Sequence, residues 1–209
     1  MTLQGEGCHA GRAAVFLRFS GCNLWSGREA DRATAACRFC DTDFVGIDGV
    51  GGGSYDCPSL VAAAERAWSG GTAGRFIVCT GGEPLLQLDP PLVAALQAAG
   101  FQVAVETNGT RTGIGNTVDL LDWVCVSPKA DAGLERWTLR RGHELKLVYP
   151  QPGLMPDDVA PLAGGFDHWL LQPMDGPQQA EHTAAAVVAV QTDPRWRLSV
   201  QTHKVIGIA

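Results

Sequence analysis

The sequence predicts an α/β fold: an incomplete, TIM-like barrel of about six parallel strands with few helices, formed by residues 1–209 as a single domain. Short apolar runs rich in β-branched and aromatic residues recur along the chain, nearly continuous in hydrophobicity, as strands buried on both faces of a parallel sheet are. Helical patterns lie between several of them, and strands alternating with helices pack as right-handed βαβ units. Small, polar and charged residues follow each run, at the carboxyl ends of the strands where α/β barrels assemble their sites.

The first predicted strand is Ala14 to Phe19. Two segments after it, Ser26 to Ala36 and Gly46 to Ser54, carry no apolar period and read as insertions, the first spanning about 24–36 in all. Pro58 to Trp68 has proline in the first turn of a helix, a favoured position because that N–H has no partner in any case. Phe76 to Cys79 is the next strand, and the helical pattern Leu88 to Ala99 stops before Gly100. Strands follow at Phe101 to Val105, Trp123 to Val126, Glu144 to Tyr149 and His168 to Leu171, with a loop around Gly113-Ile114-Gly115 and a last helix over Gln178 to Gln191. Six such strands fall short of eight full repeats, so one side of the barrel stays open to a ligand. A chain of 209 residues can bury one large core.

The formal charge of -6 argues against a nucleic-acid binder, which needs a basic face to displace counterions. No run of about 18 apolar residues is present to span a membrane. The start, Met1 to Gly5, lacks the basic and apolar regions of an export signal, so a cytoplasmic location and a small-molecule substrate are expected. Seven cysteines in such a chain read as metal ligands or buried hydrophobes, since the cytosol keeps thiols reduced.

Three of them, Cys22, Cys37 and Cys40, stand in the arrangement C-x14-C-x2-C. The close pair alone fits half a zinc site or a redox dithiol, and a structural zinc requires four protein ligands, for which Cys8 and His9 are the nearest further candidates. A [4Fe-4S] cluster held by three thiolates instead leaves one iron open to a cofactor. Cys79 and Cys125 lie inside apolar strands and read as packing, and Cys8 and Cys57 as non-ligands.

Gly81-Gly82-Glu83-Pro84 follows the next strand, and with the three cysteines it resembles the radical S-adenosylmethionine (SAM) superfamily, whose usual pattern is C-x3-C-x2-C. The long first gap is similar to a narrower family. Together with Thr2 to Gly7, Arg18 to Trp25, Cys40-Asp41-Thr42, Glu106 to Gly109, Gln172 to Asp175 and Gln201 to Lys204, it resembles the 7-carboxy-7-deazaguanine synthases of queuosine and deazapurine biosynthesis. The resemblance implies a carbon-nitrogen lyase that converts 6-carboxy-5,6,7,8-tetrahydropterin to 7-carboxy-7-deazaguanine and ammonia. A 5'-deoxyadenosyl radical, derived from the cofactor and not from a catalytic side chain, would take the C6 hydrogen.

The resemblance also implies roles residue by residue. Cys22, Cys37 and Cys40 hold the [4Fe-4S] cluster. Gly81 and Gly82 approach the methionine amino group of SAM, Glu83 orients that turn, and Phe39 packs on the adenine. Ser127, Pro128, Lys129, Gln172, Pro173, Met174 and Asp175 match positions for the ribose, carboxylate and adenine; Asn108 either binds SAM or caps its own turn. Leu3, Gln4, Gly5 and Glu6 read the pterin, Arg18 pairs with its carboxylate, and Thr80 and the backbone of Ala209 contact it. Thr42 is a magnesium ligand, with water and substrate completing the shell. His203 and Lys204 either close the pocket or cap the last strand. A flavodoxin- or ferredoxin-like electron donor and a homodimer complete the expectation, with Arg28 to Arg32 in the insertion as a solvated helical turn and a docking face for the reductase. The family commonly has a strand before Gln4-Gly5-Glu6, for which little chain is present. Two rival readings remain at this point: another radical SAM enzyme such as a glycyl-radical activase, and a non-enzymatic zinc or iron-sulfur module.

Overall fold

In a computed structural model, which describes residues 1–208, eight strands follow one another across a single sheet in sequence order. They are β1 (Thr2–Leu3), β2 (Ala13–Phe19), β3 (Phe76–Gly81), β4 (Gln102–Thr107), β5 (Trp123–Val126), β6 (Gly142–Tyr149), β7 (Phe166–Pro173) and β8 (Trp196–Leu198). β1 runs antiparallel to β2 and every later pair is parallel. Among the described residues no ladder joins β8 back to β1, so the barrel is incomplete, as expected. Ala209, whose backbone was expected at the substrate, lies outside the described residues.

Alternation along the strands separates two environments. Val15, Ile77, Cys79, Val103, Val105, Val124, Val126, Leu145, Leu147 and Leu171 face outward into the main apolar core. Helices α1 (Cys57–Ala67), α2 (Pro90–Ala98), α3 (Pro156–Val159) and α4 (Gln179–Thr192) flank this sheet; Ala64 of α1 and Leu92, Val93 and Leu96 of α2 belong to the same core. The carboxylates of Asp56 and Asp89 accept from the backbone N–H groups of Ser59 and Leu92 at 2.9 and 3.0 Å, capping α1 and α2 ahead of their first-turn prolines. The cap at Asp89 explains why α2 begins two residues later than the apolar pattern. On the inner face Ala14, Phe76, Val78 and Ala104 form a small apolar floor with Phe16 and Trp123. Above it the inward positions become polar: Arg18 pairs in register with Thr80, and Glu106 with Cys125.

β1 and β8 escape a sequence reading because two or three residues are too few to show a period. β1 supplies the strand before Gln4 that the resemblance calls for. The insertion at 24–36 is not formless: its middle is a 3-10 turn, Glu29–Thr34, while Leu24 and Trp25 at its start are buried. Another 3-10 turn, Ile114–Leu120, follows the expected glycine loop. Among the described residues no helix is long and apolar enough to cross a membrane.

Candidate active site

A cavity of about 610 Å³ opens among the carboxyl ends of the inner strands, within the range typical of small-molecule sites, roughly 300–1,000 Å³. It gathers Leu3, Gln4, Gly5, Glu6, Arg18, Cys22, Cys37, Phe39, Cys40, Thr42, Thr80, Gly81, Gly82, Asn108, Ser127, Lys129, Gln172, Pro173, Met174 and Asp175. Glu83 and Pro128 are buried behind this lining and do not reach it.

Cys22, Cys37 and Cys40 sit in one apolar patch with Leu24, Phe39 and Ala132. The Cys40 thiol is drawn down to about 6, first by a hydrogen bond from Cys37, against the opposing effect of burial, and further by the Lys129 ammonium. Burial raises Cys22. The zinc reading loses its fourth ligand: the His9 ring packs on Phe76 and Trp123, at 4.9 and 4.3 Å between centroids. Those residues begin β3 and β5, at the end of the barrel opposite the cysteine loop. Cys8 lies beside Glu144 at that same far end. Among the described residues no three Cys, His, Asp or Glu side chains are arranged to hold a single metal ion. Three thiols without a fourth line one cavity, a donor set that a [4Fe-4S] cluster with one open iron would require.

Of the other cysteines, Cys57 begins α1 and contacts the Pro91 carbonyl at 3.9 Å, and Cys79 lies in the apolar core. Cys125 is buried as expected but faces inward, where Lys146, Glu144, Glu106 and Glu6 act on its thiol. Strand parity explains the difference, since a continuous apolar run hides which residues look inward.

The glycine turn braces the cysteine loop. Gly82 N–H donates to the Phe19 carbonyl and Glu83 N–H to the Gly21 carbonyl, both at 2.9 Å. A Cβ on Gly82 would lie 2.0 Å from Gly21 O, and Gly81 has a φ of +117° that side chains rarely adopt. Glycine is therefore required here by backbone contact within the protein. The fully buried Glu83 carboxylate accepts from Thr107 Oγ1 at 2.7 Å, Asn108 N at 2.9 Å and Leu85 N at 3.1 Å. Burial raises its pKa while these bonds oppose the rise. Glu83 thus ties the β3 turn to the β4 turn without touching the cavity. Asn108 caps its own turn, its Oδ1 accepting from Thr110 N at 3.0 Å, and its Nδ2 donates to Asn23 Oδ1 at 3.0 Å beside Cys22.

The cavity floor holds a network that the strand pattern concealed. Lys146, only 4% exposed, places its ammonium 2.5 Å from Glu6 and 3.5 Å from Glu106. Gln4 Nε2 donates to Glu106 at 2.9 Å and Gln201 Nε2 to Glu6 at 2.7 Å. Burial alone would raise Glu6; the Lys146 charge and hydrogen bonds from Lys146, Gln201 and Gln172 outweigh it and hold the carboxylate at about 2, against its ordinary 4.5. Burial would likewise lower Lys146, and the charges of Glu106 and Glu6 raise it instead. The signal in the sequence was Glu144 and Lys146 alternating with leucine, which places charges on one face of an otherwise buried strand. A depressed carboxylate stabilises the fold fully above its unfolded pKa and loses that contribution as it is protonated. Stability is therefore expected to fall as pH drops from about 4.5 toward 2. Denaturant titrations across that range check this, with Glu6→Gln showing the shallower dependence.

Helix α5 (Thr202–Ile206) borders the cavity. Lys204 Nζ bridges Asp41 at 2.7 Å and Asp175 at 2.6 Å, and Thr202 N donates to the Gly5 carbonyl at 2.8 Å. His203 and Lys204 line the cavity, which decides for pocket closure over capping of the last strand. Lys129 donates to Ser127 Oγ at 2.8 Å and stands 5.4 Å from the Phe39 ring centre. Arg18 is exposed into the cavity and has no ion-pair partner among the described residues.

No family model matches the chain. It is 57% identical over 209 residues to the 7-carboxy-7-deazaguanine synthase of Caulobacter vibrioides, covering 100% of this chain and 95% of that one. It is also 57% identical to the 7-carboxy-7-deazaguanine synthase of Bordetella pertussis, covering 99% and 95%. The crystal structure of QueE from Escherichia coli superposes with a TM-score of 0.65 at 26% identity, over 97% of this chain and 91% of that one.

Proposed function

The chain belongs to the 7-carboxy-7-deazaguanine synthase family, and we propose from that membership that it converts 6-carboxy-5,6,7,8-tetrahydropterin to 7-carboxy-7-deazaguanine with release of ammonia. One observation supports the reading above all: the three thiols and the Gln4, Glu6 and Arg18 set open onto one cavity. Cys22, Cys37 and Cys40 would hold a [4Fe-4S] cluster, which together with SAM would supply one-electron chemistry for hydrogen abstraction at substrate C6. Gly81, Gly82, Asn108, Phe39, Ser127, Lys129 and Gln172 to Asp175 surround the SAM. Glu83 and Pro128 act from behind the lining, by fixing the turns. Thr42 offers its hydroxyl to Mg²⁺, which keeps water and substrate oxygens as its other ligands.

The Arg18 guanidinium pairs with the substrate carboxylate through parallel N–H donors. Gln4 can donate to and accept from the pterin ring, the Glu6 and Glu106 carboxylates accept from it, and Thr80 flanks it. Lys146 holds the Glu6 carboxylate ionised, so it serves as an acceptor. Helix α5 excludes water, protecting a reactive intermediate from side reactions. Such an enzyme takes its electron from a flavodoxin- or ferredoxin-like protein, and the cytoplasmic homodimer belongs to the same proposal. A cavity of about 610 Å³ suits a small substrate better than the protein substrate of a glycyl-radical activase.

Anaerobic incubation of the reduced enzyme with SAM and the tetrahydropterin is expected to yield the deazaguanine chromophore and ammonia; an intact cluster with no product contradicts the proposal. In the same assay Arg18→Ala is expected to raise the substrate KM by roughly tenfold to a hundredfold, the equivalent of a charged hydrogen bond of about 1.5–3 kcal/mol. Arg18→Lys recovers only part, because an ammonium lacks the planar fork.

A further inference from the structure

We propose that the fourteen-residue gap between Cys22 and Cys37 carries Arg32 as a positioning residue, which clamps the backbone of the Cys37–Cys40 segment from inside the loop. The proposal rests on the reading of these cysteines as cluster ligands. Arg32 Nη1 donates to two carbonyls of that segment, Arg38 O at 2.8 Å and Cys40 O at 3.2 Å. Its Nε donates to both oxygens of Glu29, at 2.9 and 2.8 Å. The guanidinium lies 4.2 Å over the Trp25 ring. Trp25 is itself fixed: it is buried, its Nε1 donates to the Arg28 carbonyl at 3.2 Å, and its ring meets Phe44 edge-on at 5.5 Å. At the base of the loop Ala36 N donates to the Leu24 carbonyl at 2.9 Å, closing it.

The backbone of the clamped segment has few bonds of its own; its other ties are made by side chains, Arg38 to Asp131 at 3.3 Å and Asp41 to Lys204 at 2.7 Å. Residues 37–42 form neither helix nor strand. Among the described residues, Arg38 and Cys40 make no backbone-to-backbone hydrogen bond in a turn, loop or cap. A short segment without such bonds samples many conformations, and three thiolates must be held at fixed separation to bind a cluster. A planar guanidinium can serve two carbonyls, chelate Glu29 and lie flat on an aromatic face at once, a fixed fork that a compact ammonium does not reproduce. Arg28, in the same turn, is exposed and has no side-chain bond among the described residues. The structure thus separates two arginines that look alike in the sequence: Arg32 is engaged inside the loop and Arg28 faces solvent. The positive charge beside the Cys40 carbonyl also favours the more negative, reduced cluster.

The test uses the full chain before and after cluster reconstitution. Before it, Arg32→Gln is expected to speed iodoacetamide alkylation of Cys37 and Cys40 by roughly tenfold, and to speed amide exchange across residues 37–42, as loss of a local restraint does. The melting temperature should stay within a few degrees of the parent, because the turn lies outside the barrel core. Arg32→Lys should show most of the same acceleration and Arg28→Gln none. After reconstitution, Arg32→Gln should lose iron faster and show a more negative cluster potential. Alkylation and exchange rates equal to the parent's in both Arg32 variants would overturn the clamp. Those rates are read without metal, so failure of the cluster reading appears separately, as a parent protein that takes up no iron.

Discussion

Cys22→Ala is expected to lower both cluster content and turnover to background while the barrel stays folded. Cys22 follows Gly21, the residue whose carbonyl anchors the glycine turn through Glu83 N–H, so its thiol is placed by β2 and β3 together. Cys37 and Cys40, with two residues between them in the chain, cannot by themselves hold three irons of a cubane. The side chain is only half-buried, and its principal protein contact is a long one, from Leu24 N at 3.5 Å. Its loss leaves no buried polar group stranded, so the cost in stability should be within about 1 kcal/mol. Iron and sulfide analysis, turnover and a thermal melt on one preparation check the three parts. A variant that retained about four irons would show that Cys22 is not a ligand.

Lys146→Met is expected to destabilise the protein by about 3–5 kcal/mol, the cost of breaking a buried ion pair from one side. Methionine fills the volume and removes the charge that Glu6 and Glu106 share. The two carboxylates then face each other under the cavity, and Glu6 can no longer stay at about 2. One of them must take a proton or draw in water. Adding Glu106→Gln to Lys146→Met should recover part of the loss, since it lowers the uncompensated charge. Urea titrations at pH 7 measure both variants, and a loss below about 1 kcal/mol for the single variant would mean the site is wetter than its burial indicates. Because Glu6, Glu106 and Lys146 line the cavity proposed to take the pterin, the single variant should also raise KM.

The strand ends and the count of cysteines were legible because each is local: a turn chemistry or a spacing survives in one dimension. The partners of those residues were not. Glu106 and Lys146 meet only once β4 and β6 are placed in one barrel with their inward faces known, and Cys125, expected to be buried, could not be given a face without that parity. Glu83 and Pro128 carried the right motif but stand behind the cavity wall, since a motif does not say which of its members point outward. β1 and β8 were too short to register. Lys204 was visible as a charged residue near the end, yet its bridge to Asp41 and Asp175 joins positions far apart in sequence. Arg32 looked like one more solvated arginine until its two carbonyl partners were in place.

Electron paramagnetic resonance of the anaerobically purified, reduced protein, with and without SAM, tests most directly whether these three thiols hold a cluster with an open iron. The expected result is about four irons per chain, a signal from the reduced [4Fe-4S] cluster, and a shift of that signal when SAM is added. A colourless protein with one tightly bound zinc, or a cluster signal indifferent to SAM, would contradict it.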